Sequence, residues 1–115
     1  MSDNCIFCKI VAKKISARIV YEDRYVTAFE DSNPQAPVHI LVVPNHHIPD
    51  IQSMAENDGE LVGHLFLAAK TIASDKGLVE KGYRTVINNG AGAGQTVFHI
   101  HLHILSGRNF VWPPG

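Results

Sequence analysis

The sequence predicts a single α+β domain of five strands, mostly antiparallel, and one long helix, on three observations. Apolar residues recur at intervals of three and four over residues 55–76, the period of an amphipathic helix. Elsewhere, short β-branched and aromatic runs alternate with turn residues, the pattern of strands joined by tight connections. A chain of 115 residues with 45% hydrophobic content builds one core, and no repeat, low-complexity tract or linker divides it, so residues 1–115 form one domain.

Residues 6–14 place Ile6, Ile10 and Phe7 on one face of a short opening helix, with Ser16 and Ala17 beyond its end. Residues 18–21 and 25–30 are strand-like runs separated by Glu22-Asp23-Arg24, which suits a hairpin. After a loop at 31–36, residues 39–43 form a third strand, nearly all apolar, bracketed by Pro37 and Pro44, which donate no ladder hydrogen bond. The long helix presents Leu61, Val62, Leu65, Phe66, Ala69, Ile72 and Ala73, and Gly77 closes it. Residues 83–87 and 98–105 supply the last two strands, with a loop at 88–95 between them.

The bulk properties exclude several function classes. A formal net charge of -1 with 18% charged residues leaves no broad cationic surface for long nucleic acid, so a small ligand is expected. No apolar run approaches the roughly 20 residues that span a bilayer, and Met1-Ser2-Asp3-Asn4 lacks the basic and apolar regions of a signal peptide. The expectation is a cytoplasmic protein without membrane contact. Cys5 and Cys8 are too close in sequence for a bridge that staples the fold, which leaves metal binding or free thiols.

The segment Phe98-His99-Ile100-His101-Leu102-His103-Ile104 alternates strictly. Read as a strand, it turns Phe98, Ile100, Leu102 and Ile104 to a core and three imidazoles to the other face. Imidazole titrates near neutrality and serves as nucleophile, general acid or base, metal ligand or phosphate donor, so three on one face can divide those roles. His99 and His103 stand roughly 13 Å apart along a strand, too far to share one metal ion. Upstream, Gly90, Gly92 and Gly94 let backbone N–H groups approach an anion closely, a phosphate cradle beside the histidines.

Gly94-Gln95-Thr96-Val97-Phe98-His99-Ile100-His101-Leu102-His103-Ile104 resembles the signature of the histidine triad (HIT) family. The resemblance extends through Ile6-Phe7-Cys8-Lys9-Ile10, Asp31-Ser32-Asn33-Pro34-Gln35-Ala36-Pro37-Val38-His39 and the ending Trp112-Pro113-Pro114-Gly115, which are similar to the Hint branch of purine nucleoside phosphoramidases. It implies a five-stranded antiparallel sheet that continues as a ten-stranded sheet in a homodimer. It also implies hydrolysis of the P–N bond joining a purine nucleotide to an amine, with His101 attacking phosphorus to form a nucleotidyl-histidine. A two-displacement route replaces one hard step by two easier ones.

The resemblance assigns residue roles. His101 is the nucleophile, its other ring nitrogen donating to a backbone carbonyl. His99, His39 and His103 complete the catalytic set, His103 binding phosphate together with N–H groups near Gly94 and Thr96. Asn88 and Thr96 match contacts to phosphate or leaving group; serine is common at the latter position, and threonine keeps the hydroxyl while adding a methyl. Asp31 matches the acceptor of ribose hydroxyls, although a turn aspartate reads equally from sequence. Ile6, Phe7, Ile10 and Phe29 match the apolar wall around the purine, although such residues also suit a core. Trp112 matches a segment reaching towards the partner's site.

Cys5 and Cys8 supply half of a tetrahedral zinc site, and relatives carrying this pair imply His47 and His99 as the other ligands, with His46 an adjacent competitor. Such zinc is structural, with no cofactor needed for catalysis; free thiols are the alternative. His64, on the long helix, has no assigned role. Two other functions compete with the phosphoramidase: a dinucleoside polyphosphate hydrolase sharing the triad, and a nucleotide-binding regulatory or scaffold dimer. The Trp112 to Gly115 ending and the intact triad favour the first reading.

Overall fold

The computed structural model describes residues 4–115. The elements run α1 (Ile6–Val11), β1 (Ile19–Glu22), β2 (Val26–Glu30), β3 (Val38–Pro44), α2 (Asp58–Asp75), β4 (Arg84–Val86) and β5 (Leu102–Ser106). The five strands form one sheet in the order β1-β2-β3-β5-β4, and every neighbouring pair is antiparallel. The β1–β2 hairpin closes on Asp23, whose Oδ1 accepts from the N–H groups of Tyr25 and Val26 at 2.8 and 2.9 Å.

Strand alternation divides the apolar residues between two cores. Val26, Ala28, Ile40, Val42, Leu102 and Ile104 meet Leu65, Ala68, Ala69 and Ile72 of α2 on one face. Phe29, Leu41 and Val43 face the other way and meet Phe7, Cys8 and Ile10 of α1. β3 is therefore apolar except at His39, because it is covered on both faces. Each such side chain contributes roughly 1.5–3 kcal/mol on full burial.

Three expected boundaries move by more than one residue. α1 stops at Val11 rather than reaching residue 14, because the chain turns through Lys13 at φ 62°. Its buried face is Phe7, Cys8 and Ile10, while Ile6 is 46% exposed. α2 begins at Asp58, since residues 55–57 form a turn in which the Asp58 carboxylate accepts from the Ala55 N–H at 2.8 Å. Of its expected stripe, Phe66 is 48% exposed, and Ala68 is buried although it was not in that stripe. Gly77 closes the helix at φ 69°, and the Leu78 N–H returns to the Ala73 carbonyl at 2.9 Å, as a glycine stop does.

The third shift affects the histidines. β5 starts at Leu102, not at residue 98, and Phe98 is 47% exposed rather than in the core. β3 ends at Pro44, which has no N–H to offer, so the ladder stops at the Val42–Leu102 pair. Other bonds hold residues 98–101: the Ile100 N–H donates to the Ile48 carbonyl at 2.7 Å, and the His99 ring donates from Nε2 to the Pro44 carbonyl at 2.7 Å. Ile100, Leu102 and Ile104 remain buried, so the alternation that turns the histidines to the opposite side survives.

Candidate active site

The approach to the triad is pinned by Gln95, which is 2% exposed. Its Oε1 accepts from the Gly90 N–H at 2.8 Å, and its Nε2 donates to the carbonyls of Pro49 at 2.8 Å and Val97 at 3.1 Å. One amide thus ties together the glycine loop, the segment after His47 and the entry to the triad. Gly90 and Gly94 adopt φ 90° and 98°, a backbone region in which a side chain is strained. Asn88 stands behind that loop, its Nδ2 3.8 Å from where a Cβ on Gly94 would lie.

Hydrogen bonds determine the tautomer of each imidazole. The His101 Nδ1–H donates to the His99 carbonyl at 2.8 Å, which leaves Nε2 as a bare lone pair. The Gln35 N–H donates to His39 Nδ1 at 3.0 Å, so the His39 proton sits on Nε2 and is donated to His103 Nδ1 at 2.9 Å. His103 consequently carries its proton on Nε2 and acts as a donor. Asp31 Oδ2 lies 3.4 Å from His39 Nε2, and its Oδ1 accepts from the Asn33 N–H at 2.8 Å, so the turn role and a site role coexist.

Burial keeps these rings neutral. It lowers the His101 pKa, partly offset by the bond to the His99 carbonyl and by the Asp31 charge. His103 is pushed down to about 4 by burial and then by His101 and His39. His39 is likewise lowered, chiefly by burial. The arrangement combines a neutral nucleophile with a neutral donor, their ring centroids 4.9 Å apart.

His101 and His103 open onto a cavity of about 760 Å³. Gly94, Thr96 and Asp31 also line it, and Ile6, Phe7, Ile10 and Phe29 form its apolar part. Phe7 packs edge-on against Phe29 and His101, with centroid separations of 5.4 and 5.1 Å. His39 and Asn88 do not line this cavity; His39 bonds to His103, which does, and Asn88 lies beside Gly94. Leu41, Ile15, Ser16, Ala17 and Arg18 also line it and were not anticipated. Leu41 was legible, being two residues from His39 on the same strand face; Gln95 and the segment 15–18 carried no signal.

The His99 side chain points away from the cavity, into a cluster with Cys5, Cys8 and His47 whose donor atoms all lie within 4.8 Å of one another. His99 Nδ1 is 3.3 Å from Cys5 Sγ, 3.5 Å from Cys8 Sγ and 3.2 Å from His47 Nδ1, and Cys8 Sγ is 3.4 Å from His47 Nδ1. A tetrahedron with zinc–sulfur bonds near 2.3 Å and zinc–nitrogen bonds near 2.0 Å has edges of about 3.3–3.8 Å, so the four donors fit such an ion. The bond from His99 Nε2 to Pro44 leaves Nδ1 as the lone pair facing the cluster and holds the ring in the orientation a ligand needs. Burial also holds His99 neutral, down to about 4. His46 is exposed and outside the cluster. Asp31, His39 and His103 also lie within 4.8 Å of one another, but the His39 proton occupies the nitrogen an ion would require there.

A family profile described as the HIT domain matches residues 12–110. The chain belongs to the HIT family. An uncharacterized HIT-like protein of Synechocystis is 53% identical over the whole of both chains. A HIT family hydrolase from Legionella pneumophila superposes with a TM-score of 0.95 at 48% identity, covering 97% of this chain and 100% of that one. A histidine triad protein from Clostridium difficile gives 0.94 at 40% identity, covering 96% of each chain. The HIT fold is thus shared throughout, including the antiparallel five-stranded sheet. Among the described residues no helix is long and apolar enough to cross a membrane.

Proposed function

We propose that this HIT protein hydrolyses purine nucleoside phosphoramidates, cleaving the P–N bond through a nucleotidyl-His101 intermediate. The observation that carries the reading is the His101 ring: Nδ1–H held by the His99 carbonyl at 2.8 Å, which leaves the Nε2 lone pair to a cavity that His103, Gly94 and Thr96 also line. His101 Nε2 attacks phosphorus while the P–N bond breaks, and the leaving amine takes a proton from solvent that the attacking water returns in the second step. Water then attacks the same phosphorus, releasing the nucleotide and restoring neutral His101. His103 Nε2–H and the Thr96 N–H serve the oxygens where negative charge grows, since the N–H groups of Gly90, Ala93, Gly94 and Gln95 donate within the loop. The apolar wall accepts the faces of a purine and Asp31 the ribose hydroxyls. The description of the Legionella relative as a hydrolase supports hydrolysis over simple binding.

The Cys5, Cys8, His47 and His99 set is assigned a structural zinc ion, supported by the ligand spacing; it neutralises the thiolates and cross-links distant segments. A homodimer is assigned in which two five-stranded sheets join as ten strands. The free edge of β4 and the exposed Phe66, Leu67 and Trp112 support it. A cytoplasmic location completes the reading, in keeping with a cysteine pair assigned as metal ligands rather than as a disulfide.

The test is release of a fluorogenic amine from an adenosine phosphoramidate by the wild-type protein and by His101→Ala. Turnover by the wild type with loss of at least about 10³-fold in the variant is expected, as for removal of an essential nucleophile. No turnover by either protein refutes the phosphoramidase reading and directs attention to dinucleoside polyphosphates.

A further inference from the structure

We propose that metal occupancy of the Cys5, Cys8, His47 and His99 cluster controls the nucleotide site, with His99 and α1 as the positioning elements that join the two centres. The inference rests on the zinc and nucleotide readings above and adds a coupling between them.

Two physical connections carry it. The first is α1, only six residues long, whereas isolated helices shorter than about 12 residues are marginal in water. Its N-cap is a thiol, Cys5, whose Sγ accepts the Cys8 N–H at 3.3 Å, a weak substitute for a serine or aspartate cap. What holds α1 is packing on one side and two cluster ligands on the other. Phe7 and Ile10, within two residues of Cys8 on the same short helix, are part of the apolar wall of the cavity. An ion bound by Cys5 and Cys8 therefore fixes the wall that receives the purine.

The second connection is His99, which belongs to both centres through different atoms. Its Nδ1 faces the thiols and His47, while its carbonyl receives the His101 Nδ1–H at 2.8 Å. Residue 99 lies before the start of β5, so no sheet ladder sets the direction of that carbonyl. That carbonyl shares a peptide plane with the Ile100 N–H, which donates at 2.7 Å to the carbonyl of Ile48, the residue after ligand His47, so the cluster reaches it through His47 as well as through the His99 ring, held at Nε2 by Pro44. The ion joins α1, the segment after β3 and the approach to β5, ligands separated by 39 to 94 positions in sequence. Its release frees all three segments together.

The experiment compares zinc-loaded and chelator-treated full-length protein. AMP affinity is read by calorimetry, and the His101 ring nitrogens by ¹⁵N NMR. Cobalt(II) titration gives an independent report of the site, since two thiolates and two imidazoles produce tetrahedral d–d and thiolate charge-transfer bands. The expected result is cobalt binding with those bands. Metal removal should weaken AMP binding about tenfold, as for loss of an ordered aromatic wall, with a shift of the His101 resonances towards mixed tautomers. A merely structural ion instead lowers the number of binding sites and leaves the AMP Kd of the folded molecules unchanged. An AMP Kd within twofold in both states, with unmoved His101 resonances, overturns the coupling, as does a cobalt spectrum without thiolate bands. If AMP binds in neither state, the nucleotide reading fails, and the His101 resonances alone decide the coupling. For a chain that unfolds on chelation, cadmium replaces zinc: the larger ion lengthens every ligand bond, and unmoved His101 resonances overturn the proposal.

Discussion

Replacing Gln95 by methionine tests whether one buried amide organises the phosphate end of the cavity. Methionine keeps the length and most of the volume, so the variant removes hydrogen bonds rather than opening a hole. Three bonds are lost, from Gly90 N–H and to the Pro49 and Val97 carbonyls. Each is worth about 1 kcal/mol net, and the partners are partly accessible to water, so the loss is about 2–3 kcal/mol. With an unfolding entropy near 2.1 cal/mol/K per residue, that lowers Tm by about 10 °C. Because the same amide holds the loop that leads into Thr96 and the triad, kcat on an adenosine phosphoramidate should fall about 10- to 100-fold. Thermal unfolding by circular dichroism at fixed protein concentration, with the metal loaded, reads the first effect. Gln95→Glu keeps the acceptor for Gly90 but sets a carboxylate against two carbonyls, and should be worse at neutral pH. A Gln95→Met protein melting within about 2 °C of wild type with unchanged kcat would refute this role for Gln95.

Stability should also depend on pH through His103. Its folded-state pKa of about 4 lies below the ordinary 6.5, so the unfolded chain binds more protons between those values. The stabilisation is full above pH 6.5 and is lost progressively as pH falls towards 4. Urea titrations across that window should show a shallower decline for His103→Gln, and parallel profiles would count against a buried neutral ring. Gly107→Ala tests the turn after β5: Gly107 has φ 93°, and an added Cβ would lie 2.8 Å from the Pro37 side chain. A loss of about 2–3 kcal/mol is expected from strain and overlap, and an equilibrium unfolding midpoint equal to wild type would contradict it.

Much of the site was legible because strand alternation is a local property. The spacing of His99, His101 and His103 separates them from Ile100, Leu102 and Ile104 whatever else the chain does, and the three apolar residues are indeed buried. The period of α2 and the glycine stop at Gly77 are likewise written in short windows. The early end of the ladder was less legible. Pro44 marked the end of β3, but that this would release residues 98–101 depended on β3 and β5 being neighbours, a pairing across some sixty residues of sequence.

The sequence by itself determined which residues carry chemistry: a run of alternating imidazoles, a glycine loop, a cysteine pair and two strings of apolar side chains. Only the tertiary structure decided how the work is divided. It turned the His99 ring to the cysteines and its carbonyl to His101, set His39 behind His103, and made Gln95 the anchor of the loop. The physical reason is that side-chain direction follows from local backbone geometry, whereas a tautomer follows from the partner of each ring nitrogen. Those partners, the carbonyls of Pro44 and His99 and the N–H of Gln35, are backbone groups common to any sequence, placed only by the fold.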